Sequence, residues 1–280
     1  MSGDFAGWIG RSVTARDRLE PARSNALLAA LGGQGKGAAG DPLPLLHHWL
    51  HFWDVRPPPG LGADGHPAKG DFLPPVPLPR RMWAGGRLAF HAPLVLGEEV
   101  TRTSTILGVE EKHGRSGTLV FVTLEHAIAN AGGLAIREEQ DLVYRAAAAS
   151  GPSLPNAALP PECGFGASVD PDPVLLFRYS ALTMNGHRIH YDRLYAMGEE
   201  AYPALVVHGP LQATLLMRQA EQHLPQPITG FEFRGEAPAF DGMPLHLCGE
   251  PSDEGASLWS QQGDQVAMRA RVTCGAASAG

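Results

Sequence analysis

Hydrophobic and polar positions follow two rhythms along this chain, and the two rhythms come in the same order twice. "EPARSNALLAALG" (Glu20 to Gly32) repeats Leu and Ala at helical spacing and runs into the glycines of "GGQGKGAAGDPLP", which predicts a helix with its stop signal. The apolar run "LLHHWLHFW" (Leu45 to Trp53) predicts a second helix. From Arg87 to Arg145 the period changes to two. "RLAFHAPL", "EEVTRTSTILGVEEK", "GTLVFVTLEHAIA" and "GLAIREEQDLVYRA" alternate and are rich in β-branched residues, with the short breaks "KHGRSG" and "NAGG" between strands. This predicts an antiparallel meander.

The second round begins with "VLLFRYSALT", a strand-like run, followed by a polar loop and "YDRLYAMGEE", a short helix. "HGPLQATLLMRQAEQHL" predicts a long helix, and "ITGFEFRGEAPAF", "MPLHLCGEP", "ASLWSQQGD" and "QVAMRARVTC" predict four more strands. Helix then meander, twice, points to a duplicated α+β unit in which a curved antiparallel sheet wraps a long helix. "AAAASGPSLPNAALPPE" (Ala146 to Glu162) separates the copies. The expected division is an N-terminal domain over residues 1–148, a linker over 149–165 and a C-terminal domain over 166–280. A Pro- and Gly-crowded stretch from Arg56 to Gly86 is too long for a plain connection and reads as functional or pinned to a surface.

Composition removes several function classes. The chain carries 29 acidic and 22 basic residues, a net charge of −7, with no basic block, which argues against nucleic acid as a partner. Cys163, Cys248 and Cys274 are odd in number and lack CxxC spacing, so neither a disulfide framework nor a zinc knuckle is expected, and a reducing cytoplasm is. "MSGDFAGWIGRSVTARD" has no signal-peptide pattern, and the apolar runs are too short for a membrane span.

Candidate chemistry concentrates in "YSALTMNGHRIHYD" (Tyr179 to Asp192) and in His208-Gly209-Pro210 at the start of the long helix. A helix start presents unpaired N–H groups and partial positive charge, suited to an anion or an activated carbonyl oxygen. Gly209 would let that oxygen approach without a Cβ in the way. An imidazole with an ordinary pKa near 6.5 suits proton transfer at neutrality. His187, Tyr179 and Tyr191 can each serve either site or packing. "LHHWLHFWD" puts His47 and His51 on one helical face, but no acidic third ligand is apparent and the aromatics suit packing, so no metal is expected there. No phosphate-binding fingerprint or GxSxG serine is present.

"NGHRIHYDRLYA" followed by "PALVVHGPLQATLL" resembles the MaoC-like, R-specific enoyl-CoA hydratases, whose loop runs Asp-x-Asn-Pro-Leu-His before a His-Gly helix start. The match puts Asn185 at the family's Asp, His187 at its Asn and His190 at its catalytic His, with His208-Gly209 at its His-Gly. "YSALTMNGHRIHYD" looks like the signature of mitochondrial hydroxyacyl-thioester dehydratases and their bacterial relatives. "DGHPAKGDFLPPVPLPRRMWAGGRLAF" is similar to the N-terminal half of bacterial mesaconyl-C4-CoA hydratases.

The resemblance implies a double hot-dog fold and reversible hydration of an enoyl-CoA, with the mesaconyl-C4-CoA to citramalyl-CoA reaction as the specific expectation. It implies that His190 handles protons, that Asn185 orients water or substrate through its amide, and that the Gly209 N–H holds the thioester oxygen. His208 would orient the loop. Asp192, two residues on, is a candidate substitute for the missing family carboxylate, although strand or turn geometry could equally point it outward. A substrate carboxylate would call for an arginine, and Arg178, Arg188, Arg80, Arg81 and Arg87 are the candidates. The expected ligand is an acyl-CoA, with no metal or redox cofactor and a possible homodimer. A carrier-protein dehydratase, a hot-dog thioesterase and a non-catalytic acyl-CoA-binding protein are the alternatives.

Overall fold

The structure is a computed structural model and describes residues 5–114, 117–147 and 151–275. Its strands form one sheet in which every neighbouring pair is antiparallel. The order is β1 (Ser12–Arg18), β3 (Glu99–Gly114), β4 (Gly117–Asn130), β5 (Gly133–Arg145), β2 (Arg80–Phe90), β7 (Ile228–Gly235), β10 (Gln265–Cys274), β9 (Gly255–Gln262), β8 (Leu245–Ser252) and β6 (Phe165–Val169). The period-two expectation is met: Val120, Val122, Leu124, His126 and Ile128 of β4 alternate inward, as do Met268, Ala270 and Val272 of β10. The two rounds of the sequence meet at the β2–β7 pair, from Gly85 opposite Arg234 to Ala89 opposite Gly230. A Cβ on Gly85 would come within 2.5 Å of the Phe233 carbonyl oxygen on β7, so these two strands close on each other only with glycine there.

In the second half a long helix, Gly209–His223, packs against all five strands from Phe165 onward. Leu211 through Met217 are all buried, including the polar Gln212 and Thr214, so the first turns of the helix run through the core on every side. The first half differs from the expectation. Its helix α1 (Pro21–Ala30) is short and packs against α2 (Pro173–Thr183), away from the centre of the sheet. "LLHHWLHFW" forms only a 3₁₀ turn over His47–Leu50, entered through Leu46 and left through Phe52, both in the left-handed region. That turn directs His48 and Trp49 at the Glu138 carboxylate on β5. The sheet face beyond it is covered by the Pro-rich segment: Phe72, Leu73, Val76 and Leu78 pack on Ile106, Val120, Val122, Leu124, Leu142 and Tyr144.

Three further expectations are corrected. "VLLFRYSALT" is the helix α2, because Asp172 caps it by accepting from the Leu175 N–H at 2.7 Å and the buried positions Leu175, Leu176 and Tyr179 recur at helical spacing. The edge strand β1 carries no strand signal in the sequence, since "SVTARDR" is polar and exposed. β2 begins at Arg80, inside the Pro- and Gly-crowded stretch and ahead of the predicted meander start at Arg87. The turn residues Arg115 and Ser116, and Ala148 to Ser150 of the linker, lie outside the described residues. Among the described residues no helix is long and apolar enough to cross a membrane.

Candidate active site

The polar loop is built by local chemistry. Helix α2 stops at Thr183 because Met184 adopts a left-handed conformation (φ 53°), and the Asn185 N–H then donates to the Ser180 carbonyl at 2.9 Å. The Asn185 Oδ1 accepts from the His187 N–H at 3.0 Å, an Asx turn that reverses the chain. A 3₁₀ turn over Arg188–His190 follows, and Asp192 caps α3 (Arg193–Gly198) by accepting from the Tyr195 N–H.

This path buries His190 and leaves one of its nitrogens available. Its Nδ1 lies 2.7 Å from the Val206 carbonyl oxygen, which can only accept, so Nδ1 carries the hydrogen and Nε2 the lone pair. The His190 ring stacks on that of His208 at 3.7 Å between centroids and meets the edge of His187 at 5.5 Å. Burial above all, and then the neighbouring His208 and His187, hold the His190 pKa well below the ordinary value. His208 caps the long helix, named α4 (Gly209–His223), and its Nε2 lies 2.8 Å from the Ser180 hydroxyl. Burial lowers its pKa to about 3. Both imidazoles are therefore neutral at pH 7, beside the Gly209 N–H at the head of α4, which has no intrahelical acceptor. A Cβ on Gly209 would meet nothing closer than 3.9 Å, so there is room above it.

His187 sits 3.6 Å through its Nε2 from Glu200 Oε1. Arg80 grips Glu200 twice, donating to its carbonyl at 2.7 Å and facing its carboxylate at 3.3 Å. Burial pushes the Glu200 pKa up, but His187 and Arg80 outweigh it and keep the carboxyl below its ordinary range. On the other side of His187 lies His66, with ring centroids 4.2 Å apart, and the His66 Nδ1 is 3.0 Å from Asp64 Oδ2. Asp64, His66 and Glu200 were not singled out from the sequence. "ADGHP" offers only an Asp and a His two apart in a loop, and Glu200 looks like any helix-end acid. Their importance comes from where the chain carries them.

The other sequence candidates are spread more widely. Tyr179 is fully buried and tilts against His208 at 4.9 Å, a packing position beneath the histidines. Arg188 turns outward to Asp192, the Ala63 carbonyl and the Tyr195 ring, so Asp192 is a cap and an ion-pair partner and does not replace the family carboxylate. Arg178 lines a separate groove with Leu31, Val169, Asp170, Asp172 and Leu215. Arg87 is bound to Glu139 and Asp141. Arg81 stands opposite Tyr144 across β2 and β5, and its charge acts on both His66 and Lys69. The histidines of "LHHWLHFWD" go separately to Ser24, Glu138 and the Arg23–Asp17 pair. Asp64, His66 and His187 are the group among the described residues whose side-chain spacing could take a metal ion.

Comparison with known proteins identifies the family and the fold. The family model for hydroxyacyl-thioester dehydratase type 2 matches residues 46–241. The chain is 46% identical over 277 residues to the mesaconyl-C(4)-CoA hydratase of Chloroflexus aurantiacus, covering 98% of this chain and 99% of that one. It is 31% identical to the mitochondrial hydroxyacyl-thioester dehydratase type 2 of Schizosaccharomyces pombe, over 76% of this chain and 78% of that one. HtdX of Mycobacterium tuberculosis superposes with a TM-score of 0.67 at 18% identity, over 94% of this chain and all of that one. A second protein of that organism, described as a double hotdog, superposes with a TM-score of 0.56 at 13% identity over 95% of this chain and 96% of that one. The chain thus has the double hot-dog fold and belongs to the hydroxyacyl-thioester dehydratase type 2 family.

Proposed function

We propose that this protein reversibly hydrates an enoyl-CoA, and that its substrate is mesaconyl-C4-CoA, giving citramalyl-CoA. The observation that carries the reaction class is His190: a neutral imidazole pinned through Nδ1 to a carbonyl, with Nε2 unpartnered among the described residues, next to the N–H groups at the head of α4. The end-to-end likeness to a mesaconyl-C(4)-CoA hydratase supports the choice of substrate.

Hydration needs a water made nucleophilic at the β-carbon, storage of charge on the thioester oxygen, and a proton for the α-carbon. His190 Nε2 takes a proton from water, the Gly209 N–H faces the thioester oxygen, and the proton then passes from His190 to the α-carbon. The step is redox-neutral and its proton transfers and oxyanion are met by His190 and the Gly209 N–H, so we propose that it runs without a metal or redox cofactor. Asn185 spends its Oδ1 on the backbone of His187 and acts by shaping the loop. His187 and His208 hold the His190 ring between them.

The substrate's free carboxylate calls for a cation near the β-carbon. Of the five candidate arginines, Arg81 is the one whose charge reaches His66 while carrying no ion pair to a carboxylate among the described residues. We assign it to the carboxylate. A hydrogen bond to a charged group contributes about 1.5–3 kcal/mol. Arg81→Gln should therefore raise KM for mesaconyl-C4-CoA about 10- to 100-fold while leaving KM for crotonyl-CoA within a few-fold.

The direct test follows loss of the enoyl-thioester absorbance with mesaconyl-C4-CoA, crotonyl-CoA and a longer enoyl-CoA, with a thiol reagent reporting any free CoA. Hydration of mesaconyl-C4-CoA without thiol release is expected. Thiol release would make the protein a thioesterase, and turnover of the unbranched substrates alone would move it to acyl-chain dehydration.

A further inference from the structure

The hydratase reading leaves one cluster unused. The loop around Asp64 belongs to the first half of the chain, yet it is docked on the His-bearing loop of the second. The Arg188 N–H donates to the Asp64 carbonyl at 2.9 Å and the Arg188 Nη1 to the Ala63 carbonyl at 3.1 Å. The two loops cross at glycines. Gly65 has φ +87°, and a Cβ there would overlap the Gly186 carbonyl oxygen, while a Cβ on Gly186 would come within 2.6 Å of the Gly65 carbonyl oxygen. The loop is internally braced as well. The Gly62 N–H donates to the His66 carbonyl at 2.7 Å, and Asp64 Oδ1 accepts from the His66 N–H at 3.1 Å.

All of this fixes one side chain. A carboxylate only accepts, so the 3.0 Å contact from Asp64 Oδ2 puts the hydrogen on His66 Nδ1 and the lone pair on Nε2. Burial lowers the His66 pKa to about 4 even with Asp64 beside it, so the ring is neutral at pH 7. His66 Nε2 has no hydrogen-bond partner among the described residues, and its ring borders His187, which in turn borders His190. The site thus holds two neutral imidazoles of the same design. Each has Nδ1–H tied to a protein oxygen and Nε2 unspent.

We propose that the Asp64–His66 dyad, supplied by the first half, is a second catalytic group of this site, taking the place that the family's loop carboxylate holds. This rests on the hydratase reading. The attacking water donates one O–H to His190 Nε2 and the other to His66 Nε2, which aims an oxygen lone pair at the β-carbon. The C–O bond forms, the C=C pair moves toward the thioester oxygen, and one water proton goes to His190. That proton passes to the α-carbon as the thioester carbonyl reforms. The second O–H stays with the product hydroxyl, so one water is added and both imidazoles end neutral. In the reverse direction the α-proton goes to His190 and then to the departing oxygen.

The test compares His66→Phe, His66→Gln and Asp64→Asn with the wild type in steady-state hydration, with thermal unfolding of each as a check on the fold. Phe keeps the ring volume without an acceptor, whereas Gln keeps an acceptor near Nε2. Asn at Asp64 can donate to Nδ1 and so reverse the tautomer. The expectation is a loss in kcat of about 100-fold for His66→Phe, with KM within a few-fold, a similar loss for Asp64→Asn, and partial recovery in His66→Gln. If His66→Phe or Asp64→Asn turns over like the wild type, or if Phe is tolerated better than Gln, the dyad is packing and the proposal fails alone. Wild-type protein that hydrates none of the thioesters overturns the hydratase reading itself.

Discussion

Two histidine clusters of similar composition face each other in this sequence, "LHHWLHFW" in the first half and "NGHRIHYD" with its distant His208 in the second. In the first, His47 is bound to the Ser24 hydroxyl at 2.7 Å and His48 to Glu138 at 3.0 Å, and Glu138 takes two more contacts from the Trp49 indole. Nearby, His126 of β4 is held between Ser104 and Gln140. The nitrogens left over, His48 Nδ1 and His51 Nε2, are sealed from solvent, as is Nδ1 of His208 in the second. In the second cluster His190 and His66 each spend one nitrogen and keep the other. Burial alone does not distinguish the clusters, since both are more than nine-tenths buried at His48 and His190. The difference lies in whether the remaining nitrogen can be reached. One cluster carries the fold and the other carries chemistry.

That contrast can be broken most forcefully at His190. Replacing it by Ala should lower kcat for hydration by about 100- to 10,000-fold, the usual range for a general acid–base, while the thermal midpoint moves little. Steady-state kinetics beside a melting curve would check both halves of the statement.

The opposite result is expected at His48. Burial pushes the Glu138 pKa up, but its hydrogen bond from His48 and the charges around it keep the carboxyl below its ordinary range, so the carboxylate is buried and ionised. His48→Ala strips one hydrogen-bond donor from this buried carboxylate, and losing a hydrogen bond to a charged group typically costs about 1.5–3 kcal/mol. Urea denaturation should show that loss, while activity per folded molecule stays within a few-fold. If His48→Ala abolished turnover without lowering stability, the division between the clusters would be wrong.

The smallest effect per group is shared by both clusters. His47 and His208 have pKa values lowered to about 3, and His51 and His66 to about 4, in each case chiefly by burial. The unfolded chain binds protons at these positions below about pH 6.5, and the folded chain does not until pH 3–4. Each group therefore takes away about 1.4 kcal/mol of stability per pH unit as pH falls through that window, and none of this is lost above pH 7. Urea midpoints at pH 7.5 and pH 5.5 should differ accordingly, with the lower value at pH 5.5. The acid limb of kcat/KM should lie below pH 6.5, because the neutral forms of His190 and His66 are the active ones.

Much of the architecture was legible in the chain. The period-two stretches account for eight of the ten strands among the described residues, because one face of each is buried and alternation records it. The long helix was legible from its apolar spacing and its His-Gly-Pro start. The misreadings have physical causes. "VLLFRYSALT" has the apolar density of a strand, and its helical state depends on the Asp172 cap and on packing against α1. "LLHHWLHFW" has helical spacing, but reaching Glu138 broke it into a single turn. Polar β1 left no alternation to read, since as an edge strand it packs little.

At the site, the sequence by itself determined the residue types and their local order: Asn185, His187 and His190 at fixed spacing, and His208 before Gly209 at a helix start. Those depend on short-range chemistry, an Asx turn and a helix N-terminus, which neighbouring residues specify. Tertiary structure alone decided which nitrogens are tied and which are free. Val206, Glu200 and the Asp64–His66 loop come from 13 to more than 120 residues away, and contacts across such distances leave no periodicity in the chain. Only the folded arrangement puts a carboxylate-backed histidine of the first half beside the loop of the second.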